Sequence, residues 1–495
     1  MRIAVVGLGY VGLVTAACAA DWDNDVVGLE ADARRASTLR SGLVPFHEPG
    51  LDDLVRAGIA SRRLVISADS TSAISNADLV IIAVGTHDGN GGWQTKTLTD
   101  CLEQLVPHIA EDAALVIRST VPLRLLPELP GIVREIRAAS GRPPVPFLCN
   151  PEFTREGQAV EDFRHPDRVV FGVFDDPTGA GQALLHELYA PVDAPKLVLD
   201  ATDAALSKLA ANLFLATKIS FANELASLCD AFGAEIEEVT KAISFDKRIG
   251  GGFLKAGVGF GGSCLPHQVT MTVREAADAG VETPLFEAVD HVNEHQRQAF
   301  VDRLASFVGP LKGRRIALLG LTFKPDTDDL RDAPSLDIAR RLIDQGAEVV
   351  AYDPMGAARI RAAQLVDGLV VADDVHDALR GADAAGIVTE WPEFRNLDWT
   401  QVAAEMNGRA VVDGRNTLPA AQLREAGLAY AAFGRARQAD PAAAPAATMV
   451  APDEVELDAV PVGPGHLEPA LRLRTVARRR EADVVGDRVG AGNPA

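Results

Sequence analysis

A single cysteine stands inside a glycine-rich segment, GFGGSCLPHQ, at residues 259–268. Three glycines, Gly259, Gly261 and Gly262, leave room for a ligand near the backbone, and a cysteine that only fills a core rarely needs such surroundings. A thiol with an ordinary pKa of about 8.5 is mostly protonated at neutral pH, so a nucleophile needs a neighbour that favours the thiolate. The segment therefore indicates that Cys264 is a catalytic nucleophile.

A second chemical motif, GLGYVG, occupies residues 7–12 between a short apolar run and a helix-forming segment. Gly7 makes a tight turn, Gly9 lets a pyrophosphate approach the backbone, and Gly12 lets the helix pack closely on the strand. The helix N-terminus then faces the phosphates. Because Glu30 ends the next predicted strand and can accept hydrogen bonds from ribose hydroxyls, the motif predicts a site for NAD rather than NADP.

The elements that must carry these motifs are strands that alternate with helices over the first 200 residues. Strands are predicted at 1–6, 25–32, 77–85, 114–120 and 167–173. Such alternation is typical of a parallel, doubly wound sheet. Residues 1–200 are therefore predicted to form an N-terminal, Rossmann-like NAD-binding domain.

The pattern changes at residue 201, because no turn signals divide the segment 201–233 into short strands. Apolar residues recur at helical spacing at Leu206, Leu209, Leu213 and Ala216. This predicts a long helix that opens a central helical domain over residues 201–300. The helix is apolar on more than one side, which indicates a homodimer or a higher homo-oligomer.

A second strand–turn–helix–strand unit begins at residue 314. Strands are predicted at 314–323, 347–354, 383–390 and 409–416, with a helix at 335–346. Residues 312–435 are thus expected to form a second Rossmann-like domain. The fold class is α/β, with two doubly wound parallel-sheet domains joined by a central helical domain. Residues 436–495 are rich in Ala and Pro, which predicts a disordered C-terminal tail.

The composition excludes several classes of protein. The chain has 495 residues and a net charge of −21, which argues against nucleic acids and anionic membranes as partners. Its five cysteines are scattered and show no CxxC spacing, so neither a zinc site nor a disulfide framework is expected. The apolar stretch 3–20 is explained by the dinucleotide motif better than by a signal peptide. We therefore expect a cytoplasmic protein without a metal.

Five further sequence blocks occur in order along the chain. They are NPEFTREGQAVEDFRHPDRVVFG (150–172), KLAANLFLATKISFANE (208–224), RIGGGFLKAGVGFGGSC (248–264), GLTFKPDTDDLRDAPS (320–335) and DGRN (413–416). Together they closely resemble the UDP-glucose/GDP-mannose dehydrogenase family over roughly residues 1–435. The form FLKAGVGFGGSC is most similar to the branch that oxidises UDP-glucose to UDP-glucuronate.

The resemblance implies a four-electron oxidation in which two NAD⁺ molecules are used in turn. A primary alcohol becomes an aldehyde, the Cys264 thiolate adds to it, and a thioester forms and is hydrolysed. Lys208 and Asn212, four residues apart on one helix face, match residues that hold the reacting oxygen. Glu152 matches the carboxylate that handles water, and Thr120 matches a further residue of the active site.

The resemblance also implies which residues bind the cofactor NAD and the substrate UDP-glucose. The NAD contacts are expected at Gly7, Gly9, Tyr10, Val11, Gly12, Glu30, Arg35, Thr86, Thr120, Glu156 and Arg331. The substrate contacts are expected at Glu152, Lys208, Asn212, Arg248, Phe253, Leu254, Lys255, Gly261, Phe323, Lys324 and Arg415. Arg248 is expected to reach across from a neighbouring subunit.

The sequence departs from the family pattern next to the cysteine. The family has Lys then Asp three and four residues after the nucleophile, whereas this chain has His267 and Gln268. Gln268 is placed among the catalytic residues, although glutamine can orient a group but cannot act as a base. His87 stands where the family has proline. STVPLRL (119–125) lacks the expected glycine and threonine, and GGWQTKTL (91–98) lacks an expected acid.

Four interpretations remain open from the sequence. The chain is an active dehydrogenase with an altered proton route, through His267 for example, or an impaired paralogue that binds a nucleotide sugar without efficient turnover. It could instead oxidise another nucleotide sugar such as GDP-mannose, or serve as a scaffold that uses the basic run 472–480. Retention of Cys264 and Lys208 favours the active dehydrogenase. Lys208 and any charge on His267 are expected to favour the Cys264 thiolate.

Overall fold

The computed structural model describes residues 1–87 and 92–436. Two sheets flanked by helices are joined by a helical segment, so the predicted α/β class with two doubly wound domains and a helical centre is confirmed. The tail predicted from residue 436 onward lies, apart from Ala436 itself, outside the described residues. Within the described residues, no helix is long and apolar enough to cross a bilayer.

The N-terminal sheet has eight strands in the order β3-β2-β1-β4-β5-β6-β7-β8. Its strands are β1 (Arg2–Val6), β2 (Asp25–Leu29), β3 (Leu64–Ser67), β4 (Leu79–Ile82), β5 (Ala114–Ile117), β6 (Phe147–Cys149), β7 (Val169–Asp175) and β8 (Lys196–Asp200). In β1, Ile3, Ala4 and Val5 are at most 1% exposed, because helices cover both faces of the sheet. The apolar runs foreseen in the sequence are these doubly covered strands.

The sheet differs from the prediction at one edge. Strand β7 pairs antiparallel with β6, whereas β8 again runs parallel to β7. Strands β3, β6 and β8 were not predicted, because they are short or partly polar. The flanking helices are α1 (Tyr10–Asp21), α2 (Ala33–Arg40), α3 (Leu51–Ala60), α4 (Ser70–Ser75), α5 (Lys96–Leu105), α6 (Leu129–Ala139), α7 (Ala159–Arg164) and α8 (Ala180–Leu188).

The central segment is built on a helix of 32 residues, α9 (Ala201–Phe232). Asp200 caps its N-terminus by accepting from the Thr202 amide, and Gly233 ends it in a left-handed conformation. At a rise of about 1.5 Å per residue, α9 is roughly 48 Å long. The other helices of this segment are α10 (Ile236–Ser244), α11 (Leu265–Asp278) and α12 (Pro284–Val308).

The helical pattern of α9 is largely as predicted. Leu209, Leu213 and Ala216 pack in a core with Val289 of α12. Leu206 is the exception, because its side chain is 46% exposed. It lies with other exposed apolar residues of α9 rather than in this core.

The C-terminal sheet has six parallel strands in the order β11-β10-β9-β12-β13-β14. They are β9 (Arg315–Leu319), β10 (Glu348–Tyr352), β11 (Val370–Val371), β12 (Ala384–Ile387), β13 (Ala410–Asp413) and β14 (Ala429–Ala432). The helices are α13 (Pro334–Asp344), α14 (Gly356–Leu365), α15 (Val375–Leu379), α16 (Pro392–Arg395), α17 (Trp399–Glu405) and α18 (Ala420–Glu425).

The two sheet units differ at the acid that follows their second strand. In the N-terminal unit this acid is Glu30, which accepts from the Asp32 amide at 2.9 Å. In the C-terminal unit it is Asp353, which is fully buried. Its carboxylate accepts from the Leu321 and Thr322 amides and from the Trp391 indole. Asp353 is therefore committed to the fold of its own unit.

Candidate active site

Helix α9, the N-terminus of α11 and the loop after β6 surround a cavity of about 700 Å³. Nine of the residues predicted from the sequence line this cavity. They are Glu152, Glu156, Lys208, Asn212, Phe253, Gly261, Cys264, Phe323 and Lys324. A smaller cavity of about 30 Å³ is lined by Thr120 and Gln268 and also by Glu152 and Lys208. The structure thus brings the predicted catalytic residues together.

A buried ion pair lies at the centre of the site. Lys208 Nζ is 3.1 Å from Glu152 Oε1, and the two side chains are 7% and 10% exposed. Thr154 donates to Glu152 Oε2 from its amide and its hydroxyl, at 2.7 and 2.6 Å. Burial disfavours the Glu152 carboxylate, but Lys208 and Thr154 outweigh it, so the pKa of Glu152 lies below its usual value. The site therefore holds a fixed cation beside a fixed anion.

Cys264 stands directly before α11, at the N-cap position. Burial raises the pKa of its thiol, Lys208 opposes the rise, and Glu152 and Glu156 add to it. The expected positive potential is therefore present at the sulfur, but it does not bring the pKa of the thiol below its usual value in the ligand-free protein. Lys208 acts in the expected direction, but the desolvation of the sulfur is the larger effect. The thiol needs a proton acceptor before it can attack.

The glycines before the cysteine have a different role from the one predicted. A Cβ at Gly261 would lie 2.3 Å from the Asp332 carbonyl oxygen, and one at Gly262 would lie 2.8 Å from the Phe323 ring. Protein atoms, and not a ligand, occupy the space that side chains would take. Both glycines nevertheless line the larger cavity. They allow the loop that carries the cysteine to pack on the C-terminal unit.

The two residues that depart from the family pattern are both held by neighbours. The side-chain amide of Asn212 donates from Nδ2 to Gln268 Oε1 at 2.8 Å, and Gln268 is 3% exposed. His267 Nε2 lies 3.0 Å from Asp332 Oδ2. The His267 ring stacks on that of His87 with centroids 6.0 Å apart. Gln268 therefore orients Asn212, as a hydrogen-bonding group without a charge can do.

The dinucleotide turn has the predicted backbone geometry. Gly7 has a φ of +85°, and a Cβ at Gly12 would lie 1.8 Å from the Gly7 carbonyl oxygen. A Cβ at Gly9 would meet open space, and no side chain caps the N-terminus of α1 in the described part of the chain. The amides of the turn are thus accessible to a phosphate. Glu30 directly follows β2, and its carboxylate lies 3.7 Å from Arg35. An acid at this place can accept from ribose hydroxyls, so these residues fit NAD.

The other predicted cofactor contacts lie in mixed surroundings. Val11 is half-buried on α1, and Thr86 is buried and donates to the Thr120 carbonyl at 2.7 Å. The Tyr10 hydroxyl is bonded to Glu48 and accepts from the Gly157 amide at 2.8 Å. Tyr10 therefore braces the loop after β6.

Four residues predicted to bind substrate do not line either cavity, within the residues that the structure describes. They are Arg248, Leu254, Lys255 and Arg415. Arg248 is exposed and paired with Asp246, which is compatible with a contact to another subunit. Arg415 donates to the Val388 and Gly259 carbonyls at 2.6 and 2.9 Å. It holds the cysteine loop against the C-terminal unit.

Three polar residues at or beside the site were not predicted from the sequence. Arg118 is 5% exposed, lines both cavities and donates to the Tyr189 hydroxyl at 2.9 Å. Ser263 lies between Cys264 and Glu156, and Asp329 binds Arg331. Arg118 directly precedes the STVP segment and Ser263 directly precedes the cysteine. Their positions next to these motifs are the feature of the sequence that could have indicated a role in the site. Within the described residues, no cluster of side chains could hold a metal ion.

Three regions of the chain match family profiles. Residues 1–193 match the NAD binding domain, 202–295 the central domain and 317–420 the UDP binding domain of the UDP-glucose/GDP-mannose dehydrogenase family. A UDP-glucose 6-dehydrogenase of Rhizobium meliloti (strain 1021) is 39% identical over 441 residues, which cover 88% of this chain and 100% of that protein.

Two further comparisons agree with this match. A UDP-glucose 6-dehydrogenase of Pseudomonas aeruginosa PAO1 is 40% identical over 447 residues, covering 88% of this chain and 98% of that protein. The solved structure of a UDP-glucose dehydrogenase from Pyrobaculum islandicum is similar with a TM-score of 0.78 at 36% identity. That likeness covers 86% of this chain and 96% of the other.

Proposed function

Because this chain belongs to the UDP-glucose/GDP-mannose dehydrogenase family, we propose that it oxidises UDP-glucose to UDP-glucuronate. Membership of the family confirms the resemblance seen in the five sequence blocks and makes the protein an NAD-dependent oxidoreductase. The observation that carries the proposal is the cavity in which Cys264 faces the Lys208–Glu152 pair. Curated relatives that share 39% and 40% of their residues with this chain are UDP-glucose 6-dehydrogenases.

The residues of the cavity divide the chemistry among them. Lys208 and Asn212 hold the sugar oxygen, and the lysine ammonium stabilises negative charge that develops there. Cys264 forms the covalent bond to the aldehyde carbon, and Glu152 accepts a proton from the water that releases the product. Thr120 lies on the side of the smaller cavity. Bound NAD⁺ supplies the hydride acceptor for both oxidations.

The substrate side of the cavity carries the groups that a UDP-sugar requires. Lys324 lines it, and burial lowers the pKa of this lysine, so an anionic diphosphate would stabilise its charged form. Phe253 and Phe323 offer apolar surfaces for the sugar and the base. Gly261 lines the cavity, and its missing side chain lets the cysteine loop pack on the Asp332 carbonyl. We assign these residues to UDP-glucose and the glycine turn, with Glu30 and Arg35, to NAD.

The alternative is an impaired paralogue that binds the sugar nucleotide without efficient turnover. Gln268 stands where the family has an aspartate, and it holds Asn212 without offering a base. A dehydrogenase for a different nucleotide sugar such as GDP-mannose is a second alternative. Retention of Cys264, Lys208, Asn212 and Glu152 supports the active enzyme.

Replacing Gln268 by aspartate should raise turnover. The carboxylate could still accept from Asn212, and it adds a base beside Lys208, so we expect kcat to increase by roughly 10-fold, a fraction of what a positioned general base contributes. The rate is measured as NADH formation, and the thioester is followed by intact-protein mass spectrometry. Gln268→Asn is the matched control, since it shortens the side chain equally without adding charge. Equal rates for the two variants would show that a base at this position is not what limits the enzyme.

We also propose the division of the chain that the sequence suggested. Its domains are 1–200 (NAD binding), 201–300 (central, helical), 312–435 (UDP-sugar binding) and a tail at 436–495. The three matched regions support the first three bounds. The five cysteines are all free thiols, which supports a reducing, cytoplasmic location.

The protein is proposed to be a homodimer or higher oligomer through α9. Phe214, Phe221, Leu228 and Phe232 of this helix are 64%, 50%, 52% and 82% exposed. They recur at helical spacing, and an apolar stripe of this size on a helix is typical of an interface. Phe221→Glu should therefore shift the protein towards a monomer, measured by light scattering after gel filtration. Ile360→Glu, which changes an exposed apolar residue on α14, is the control.

The function is tested by offering the purified protein UDP-glucose, GDP-mannose and UDP-N-acetylhexosamines separately. Two NADH per UDP-glucose are expected, with UDP-glucuronate as the product. Faster oxidation of another sugar nucleotide would assign a different substrate. Binding of UDP-glucose without NADH formation would favour the impaired paralogue.

A further inference from the structure

A short chain of polar atoms leads away from the nucleophile. Cys264 Sγ lies 3.7 Å from the Ser263 hydroxyl oxygen, within reach of a hydrogen bond to sulfur. The same hydroxyl donates to Glu156 Oε1 at 3.2 Å. Thiol, hydroxyl and carboxylate are therefore arranged so that each proton can point toward the next acceptor.

The last group in this series, the Glu156 carboxyl, lies in unusual surroundings. Arg331 Nη2 donates to Glu156 Oε1 at 2.8 Å, while the buried Glu156 Oε2 has no hydrogen-bond partner. The pKa of Glu156 is raised to about 8, first of all by burial. The charge of Asp329 adds to the rise, as does a hydrogen bond that Asp329 can accept from protonated Glu156. Arg331 and Ser263 oppose the rise. A carboxyl group with this pKa can both accept and return a proton near neutral pH.

Other charged groups also lie near the series formed by Cys264, Ser263 and Glu156. Lys208 and Glu152 act on Cys264 from the side of α9 and of the loop after β6, and their effects on the thiol are opposite in sign. Arg331 lies close enough to interact with Cys264, and Lys324 with Glu156. Among these groups, Glu156 is the carboxyl group linked to the sulfur through a hydroxyl.

We propose that the Cys264 proton passes through the Ser263 hydroxyl to Glu156, which holds it while the sulfur is bonded to substrate. The inference rests on the proposed function and names Ser263 as a proton-transfer residue. Glu156, rather than residue 268, is then the acceptor of the thiol proton. This explains how the chain can use Cys264 although a glutamine stands at the position of the family aspartate.

The proton balance is complete for the two steps in which the S–C bond changes. When sulfur attacks the aldehyde carbon, the sulfur proton moves to Ser263, the serine proton moves to Glu156, and the carbonyl electron pair moves to the oxygen beside Lys208. When water later releases the carboxylate, the S–C bond breaks and its electron pair returns to sulfur. Glu156 then returns the proton through Ser263, and the protons of the water leave through Glu152 and the solvent.

The test is the alkylation of Cys264 by iodoacetamide in the full-length, ligand-free protein over a pH series. The rate at this residue is followed by peptide mass spectrometry, with Cys264→Ser as the blank. In the wild type we expect two inflections, with the lower one near the Glu156 pKa of about 8. Glu156→Gln should leave a single inflection, because coupled groups titrate in two steps and an isolated thiol in one.

Two further variants probe the hydroxyl and the neighbouring carboxylate. Ser263→Ala removes a donor to the thiolate and should slow alkylation at neutral pH by roughly 10-fold, equivalent to one pKa unit. Ser263→Thr keeps the hydroxyl and should restore the wild-type rate. Asp329→Asn removes the negative charge beside Glu156 and should move the lower inflection to a lower pH.

The proposal would be overturned if the wild type, Glu156→Gln and Ser263→Ala showed the same dependence of the Cys264 alkylation rate on pH. It would also be overturned if these variants were silent and His267→Ala removed an inflection, since the proton would then leave through His267. Turnover of each variant with UDP-glucose is measured alongside. Alkylation needs neither substrate nor NAD, so a wrong substrate assignment would leave the expected profiles unchanged.

Discussion

Cys264→Ser should lower NADH formation from UDP-glucose by roughly 10³-fold or more, the scale on which loss of a covalent nucleophile acts. Serine has nearly the same size, so the loop before α11 should keep its shape. Its alkoxide is far harder to form than a thiolate, and the burial that already raises the pKa of the thiol would disfavour the alkoxide further. The assay is NADH absorbance, with calorimetry to show that UDP-glucose still binds.

The control for this variant is Cys101→Ser. Cys101 is a partly buried thiol on α5, so its replacement changes the same chemical group away from the cavity. It should leave turnover close to that of the wild type. Full turnover by Cys264→Ser would rule out the covalent route, and the assignment of the cysteine loop would have to be withdrawn.

Lys208→Met should reduce kcat by roughly 10²–10³-fold, the effect of removing one group that stabilises an oxyanion. It should also lower the free energy of unfolding by about 3–5 kcal/mol, because a buried partner charge is left unpaired. In the wild type the pKa of Glu152 is depressed, so the pair stabilises the fold above the carboxyl's unfolded pKa and less as the pH falls. Without Lys208, the burial of Glu152 is opposed by Thr154 and Arg118 but no longer by its ion-pair partner. The loss of stability should therefore be largest at neutral pH and smaller in acid.

Two companion variants separate catalysis from folding. Lys208→Met with Glu152→Gln removes both charges and should regain much of the stability without regaining turnover. Lys208→Arg keeps a cation and should retain more activity than Lys208→Met. If Lys208→Met kept the wild-type kcat while losing stability, the lysine would be a structural residue only.

Short-range patterns allowed much of this molecule to be predicted. The strand before Gly7 and the helix after it follow from apolar periodicity and glycine positions within about 20 residues. Lys208 and Asn212 share a helix face because they are four residues apart. These features depend on neighbours in the chain, so they can be inferred before any tertiary contact is known.

The features that escaped prediction depend on contacts between distant segments. Ser263 meets Glu156 across 107 positions of sequence, and Arg331 meets Glu156 across 175. The desolvation that raises the pKa of the Cys264 thiol requires the packed cavity, so it could not be foreseen from the cation Lys208, whose own effect has the predicted direction. The antiparallel pairing of β7 with β6 likewise follows from the path of the connection and not from strand composition.

The hydrogen bonds that Asp353 accepts within its own unit have a consequence for the kinetics of the enzyme. The N-terminal unit keeps Glu30 available beside its glycine turn, whereas the C-terminal unit has turned the corresponding carboxylate inward to bind its own amides and the Trp391 indole. A dinucleotide that entered the second unit would find no carboxylate for its ribose at this position. Saturating NAD⁺ should thus not compete with the sugar nucleotide, and the double-reciprocal plots of the enzyme should lack substrate inhibition by its own cofactor.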